Sequence, residues 1–209
     1  MVLKSTKLVE HGATCPVVVH VKIPKPIAPG SATYYKDRND DFLDRHPGPV
    51  PAPPRYYMAF GNKYANRFRG LKAHLSPRGQ EWVEKTFFLL QDKIERRRAA
   101  CPSHFDELER SPKEFEDFAI DTHSDAYLEA GVGFLPAGDI RKILLTLDRD
   151  AFTWGGMVEI AEVIPGAVKQ SAEGGIINEF GNMVREEVNA IILRWRSGKQ
   201  CVIECGTDQ

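Results

Sequence analysis

Residues 76–100 read SPRGQEWVEKTFFLLQDKIERRRAA, and they decide the fold class. Ser76 offers a hydroxyl oxygen to the unpaired N–H groups of a first helical turn. Pro77 follows at the first helical position, where its missing N–H is no loss. Val83, Phe87, Leu90 and Ile94 then recur three or four residues apart, one stripe of a helix that Trp82 and Leu89 widen. Arg96, Arg97 and Arg98 close the run, where cations suit the negative pole of the helix dipole. A long helix with one apolar stripe needs neighbours to cover it.

The flanks supply them. Downstream, Ser111-Pro112-Lys113-Glu114 repeats the start signal, with Glu114 placed to complete a capping box. It predicts a helix to about Ala130, stopped by Gly131 as a left-handed C-terminal residue. A shorter helix is expected from near Pro136, carrying Ile140, Ile143, Leu144 and Leu147, and another over Gly156–Ile164, ended by Pro165. The last long helix runs from about Gly175 to Trp195, with Ile177, Phe180, Val184, Val188 and Ile191 on its stripe. Upstream, Tyr57, Phe60, Tyr64 and Phe68 mark a helix over Tyr56–Leu71. The expected fold is therefore mainly α: an irregular bundle of five or six helices. At most two short strands are expected, over Val17–Ile23 and Cys201–Glu204.

The N-terminal quarter differs in kind. Nine of the fourteen prolines fall in the first 54 residues, and proline both removes N–H donors and restricts the residue before it. The segment Pro24–Gly30 reads as extended chain and Pro47–Pro54 as a polyproline-like linker. The expected organisation is a proline-rich extended arm over residues 1–54, lying as a tether or a strap, and a helical domain over 55–209. The longest N-terminal apolar stretch, Pro16–Val19, is broken by His20 and Lys22, too short for a signal peptide. No apolar run approaches a bilayer span of ~18 residues. The expected location is the cytoplasm, with export by a route that needs no cleavable leader left open.

With 42% hydrophobic residues over 209 positions, the chain can bury a core without staples. A net charge of −1 favours neither nucleic acid nor an acidic membrane as a partner of the whole molecule. Cys15, Cys101, Cys201 and Cys205 are too unevenly spread for a disulfide framework and lack zinc-ligand spacing. Buried or idle thiols in a reducing compartment are expected, with no metal and no cofactor. Asp37-Arg38-Asn39-Asp40-Asp41 starts like a calcium loop, but Phe42 and Gly48 stand where the loop needs glycine and glutamate.

Charge is distributed in blocks. No acidic residue lies between Asp44 and Glu81, while Arg45, Arg55, Lys63, Arg67, Arg69, Lys72 and Arg78 do, interleaved with aromatic rings. Cations for phosphates and rings for bases are what single-stranded nucleic acid requires, and Lys63, Arg67, Arg69 and Lys72 are the candidate binding residues. The plainer account buries the rings and leaves the cations solvated. From His104 to Glu129, nine acidic residues face only Arg110 and Lys113, so the acidic helix is expected to pack beside the basic one or to meet a basic partner. For catalysis, the candidates are His123 with Asp121, Glu116 and Tyr127: a carboxylate to orient the imidazole and a phenol as acid or phosphate contact. A half-buried histidine bonded to its neighbours is the alternative.

The block FGNKYANRFRGLKAHLSPRGQEWVEKTFFLLQDKIERR (60–97), followed by FEDFAIDTHSDAYLEAG (115–131), resembles helical bacterial proteins associated with toxin or effector delivery. The resemblance implies a cargo or effector module whose arm docks on a delivery apparatus or meets a cognate immunity protein. It carries no site residues over. Three functions are thus in view: a bacterial effector acting through protein contacts, a hydrolase (nuclease or cell-wall-degrading toxin) built on His123, and a nucleic-acid-binding module over residues 55–78.

Overall fold

The computed structural model describes residues 22–148, together with Val163, Gly166, Ala167, Lys169, Gln170, Glu186 and Ala190. The protein is a mainly α-helical bundle. Among the described residues it contains α1 (Tyr34–Arg45), α2 (Lys63–Lys72) entered through a π-helical segment (Tyr56–Asn62), α3 (Pro77–Ala100), α4 (Pro102–Glu109), α5 (Pro112–Asp121), α6 (His123–Ala130) and α7 (Ala137–Thr146). A short 3-10 turn, Val132–Phe134, joins α6 to α7. No described residue is in a strand. The candidate strands, but for Lys22 and Ile23, and most of the candidate helices 156–164 and 175–195 lie outside the described residues.

The long helix forms as its sequence predicts. The Ser76 hydroxyl accepts from the Gly79 N–H at 3.2 Å. The same hydroxyl donates to Asp139 Oδ2 at 2.5 Å, and the Ser76 N–H reaches Oδ1 of that carboxylate at 3.1 Å. Asp139 sits in the first turn of α7, so one buried carboxylate clamps two helix starts together. The second start signal behaves differently: Ser111 precedes α5 but its side chain caps nothing, and the single expected helix is broken at Thr122 into α5 and α6. Gly131 takes the expected left-handed conformation, φ 91°.

The arm is corrected most. Residues 34–45 form a helix whose Tyr34, Tyr35, Arg38, Asp41, Phe42 and Arg45 are all buried, so the packed body begins well before residue 55. Between Pro29 and Pro47 no proline intervenes, and Tyr34, Arg38, Phe42 and Arg45 recur at helical spacing. The chain ahead of α1 has no regular structure over residues 22–28, and the stretch expected to run extended to Gly30 ends in a turn over residues 29–30, with Gly30 at φ 88°. It is pinned to α3, with Ile27 N–H donating to Glu95 Oε2 at 3.2 Å and Gly30 N–H to Gln91 Oε1 at 2.6 Å.

Two apolar clusters meet inside the bundle. One is aromatic, built from Tyr34, Tyr35, Tyr56, Tyr57, Phe105 and Phe115 with their neighbours. The other is largely aliphatic, drawn from α3 and α7 around Val83, Ile140, Ile143 and Leu144. Burial of such side chains yields ~25 cal/mol per Å² and holds the bundle together.

Candidate functional site

A cavity of about 120 Å³ lies where the two clusters meet. Tyr35, Tyr56 and Phe60 line it from the aromatic side, and Val83, Ile143 and Leu144 from the aliphatic side. No lysine, arginine, aspartate or glutamate is in its described lining. Its polar side chains are those of the tyrosines, His123, Thr86 and Trp82, whose indole N–H donates to the Tyr127 carbonyl at 3.4 Å.

His123 is the first residue of α6 and only 1% exposed. Its Nε2 lies 2.9 Å from the Tyr56 hydroxyl and its Nδ1 3.4 Å from the Tyr127 hydroxyl. A neutral imidazole has one N–H and one lone pair, so it can donate to one phenol and accept from the other. Tyr35 extends the chain through a hydrogen bond with Tyr56; burial pushes the Tyr35 hydroxyl well above the ordinary tyrosine value, and the Tyr56 bond pulls it partly back. Thr86, on α3, is 4% exposed, and its Oγ1 has no hydrogen-bond partner.

The catalytic group expected around His123 is thus assembled in part. The structure brings His123 and Tyr127 together as the i,i+4 spacing requires. It leaves Asp121 exposed at the end of α5, and neither Asp121 nor Glu116 bonds to His123. The helix break at Thr122 separates those carboxylates from the face that His123 occupies. The imidazole is held by phenols instead.

The basic candidates also find internal partners. Lys63 and Arg67 pair with Asp148 at 2.8 and 2.5 Å, and the Tyr64 hydroxyl donates to the same carboxylate. Burial pushes Asp148 up, but those three donors more than offset it and hold its carboxyl well below the usual range. Lys72 pairs with Glu84, and Arg69 donates to the Ala32 carbonyl at 2.6 Å and to Asn66 Oδ1 at 3.0 Å. The rings of Tyr56, Tyr57, Phe60 and Tyr64 are buried, so they are not a platform for bases. The described ion pairs of these cations do not run to the acidic segment. Acidic residues of that segment serve α1: Arg45 pairs with Asp106 and, at 2.5 Å, with Glu109, as well as with Asp41 at 3.1 Å.

Compared with family models, curated proteins and solved structures, the chain matches none. The site stands on its own geometry.

The remaining polar cluster is structural. Arg38 and Arg45 are buried among Asp41, Glu95, Asp106 and Glu109, while the Tyr57 hydroxyl donates to Glu109 Oε1 at 2.6 Å and the Tyr34 hydroxyl to Glu95 Oε1 at 3.0 Å. Burial pushes the Glu109 carboxyl up, and Arg45 and Tyr57 pull it back in part. The Asp37–Asp41 run that starts like a calcium loop is helix here, and Asp41 is bound to arginine. Among the described residues no group of His, Cys, Asp and Glu could hold a metal ion. Cys101 corrects the thiol expectation: it is disulfide-bonded.

Sequence reading missed Thr86 and the cavity. A threonine on the apolar stripe of a helix carries no signal, and a void is a property of the packing of α2, α3, α6 and α7 rather than of any one of them. The α1 cluster did have a signal, in the helical spacing of Tyr34, Arg38, Phe42 and Arg45.

Proposed function

We propose that this protein is a non-enzymatic binding protein whose helical body takes a small apolar molecule into the cavity between α2, α3, α6 and α7. The cavity itself carries this reading. Left empty, a void of about 120 Å³ costs roughly 3 kcal/mol at ~24 cal/mol per Å³, a large share of a ~5–15 kcal/mol stability. An occupant recovers that contact energy. The described lining has no charge, so the occupant is apolar.

Benzene raising the melting temperature of the wild type, and failing to raise that of Ala65→Leu, is the expected result. Ala65 is 2% exposed and lines the cavity, so the added methyl groups take the ligand's space. Equal shifts in both proteins would overturn the assignment to this cavity. The hydrolase reading has less support, since among the described residues His123 is bonded by the phenols of Tyr56 and Tyr127 and not by Asp121 or Glu116.

A second reading keeps the bacterial effector function, with partner contacts through the arm. It is favoured by Ile23, Leu43 and Val50, which are 62%, 43% and 85% exposed and all lie in that segment. Its implied partners are a delivery apparatus or an immunity protein, and the disulfide at Cys101 supports an exported, oxidising destination. Serine at those three positions tests it: the partner should no longer co-purify while the helical signal is kept.

A further inference from the structure

We infer that the cavity's ligand is a compact neutral ring bearing one hydroxyl, and that Thr86 is the residue that reads that group. This inference rests on the binding reading above and adds the chemical class of the ligand.

Size sets the first limit. An apolar cavity of ~150 Å³ holds one benzene, so about 120 Å³ admits a single ring and excludes fused ring systems and long chains. Charge sets the second. A carboxylate or ammonium would be buried with no counter-charge in the described lining, which is prohibitive.

Polarity sets the third. The Tyr56 and Tyr127 hydroxyls are engaged by His123, and the Tyr64 hydroxyl by Asp148. Thr86 Oγ1 is different: it is buried, it belongs to a cavity-lining residue, and no protein group bonds to it. Most buried hydroxyls are satisfied, so one that is not, beside a ligand-sized void, points to a partner supplied from outside. A threonine hydroxyl both donates and accepts, and therefore meets a ligand hydroxyl in either sense. One such bond is worth about tenfold in affinity over the same ring without the hydroxyl.

The test uses the full-length protein with phenol, benzene and benzoate as probes, read by calorimetry, against wild type and Thr86→Val. The variant keeps the side-chain shape and removes the orphan oxygen, so its unliganded melting temperature should be equal or higher. Phenol binding about tenfold tighter than benzene in wild type, with that gap closed in Thr86→Val, and benzoate not binding, is the expected result. Benzene and phenol binding equally to wild type, or an unchanged gap in Thr86→Val, overturns the role of Thr86 and leaves the cavity as an apolar site. Benzoate binding as well as phenol overturns the neutral class. If none of the three binds, the binding reading itself falls, and this inference with it.

Discussion

At the scale of single residues, Arg45 shows how much depends on one side chain. Its side chain is 1% exposed and meets three carboxylates, so removing it leaves buried Glu109 without its cation, while Asp106 keeps Arg110 at 3.1 Å and Asp41 keeps Arg38 at 3.9 Å. Breaking a buried pair from one side costs about 3–5 kcal/mol, whereas exposed pairs such as Lys113–Asp117 contribute little to stability. His46 stands at the edge of this cluster, with Nε2 2.9 Å from Asp106 Oδ1. Burial lowers its pKa, and the Arg45 and Arg110 charges lower it further against the pull of Asp41. The folded protein therefore binds this proton less readily than the unfolded chain does. The stability it contributes is present above the unfolded value of about 6.5 and is lost as pH falls through the lowered folded value. Urea unfolding at pH 7.5 and 5.5 should show wild type losing more stability over that interval than His46→Gln. Parallel losses would mean that His46 binds its proton equally well in the folded and unfolded states.

At the scale of elements, the π-helical entrance to α2 buries more than its helical periodicity marked. The stripe Tyr57, Phe60, Tyr64 and Phe68 was legible, and three of its four rings are buried. Tyr56 was not on it, yet it is 1% exposed, because the adjacent face of this segment is covered too, by Phe115 and His123. Tyr57 reaches Glu109 in the charge cluster and Tyr56 reaches His123 beside the cavity. Gly61 lies against the Tyr35 ring: a Cβ there would stand 2.5 Å from its Cδ1. Gly61→Ala gains helix propensity of up to ~1 kcal/mol but forces a buried ring aside, which costs ~1–3 kcal/mol. A net loss on the order of 1 kcal/mol is expected in thermal unfolding. The displaced ring also lines the cavity, so benzene binding should weaken with it. A variant as stable as wild type and binding benzene equally would show that Tyr35 has room to move. Helix starts and stops were readable from local chemistry, as at Ser76, Pro77 and Gly131. The break at Thr122 was not, because the single helix read there depended on local signals alone.

At the scale of the whole molecule, the division into arm and body changes what an experiment on the arm can report. Composition argued for a separate segment, since prolines crowd residues 1–54. Packing overrides it: Tyr34, Arg38 and Phe42 are each 0% exposed, and Glu95 and Gln91 of α3 bond to the backbone of the strap ahead of α1. Deleting residues 1–54 would remove core aromatics and leave Asp106 and Glu109 without Arg45, so loss of a partner in that deletion would follow from unfolding alone. Function and stability separate only at the exposed apolar residues of the segment 22–54. Ile23, Leu43 and Val50 are exposed there and contribute little burial, so their joint change to serine should leave the melting temperature within about 1–2 °C of wild type. If the arm docks a partner, that variant loses co-purification while keeping its helical circular dichroism and its benzene binding. Retained co-purification would remove the arm from the function and leave the cavity as the site that the fold is built around.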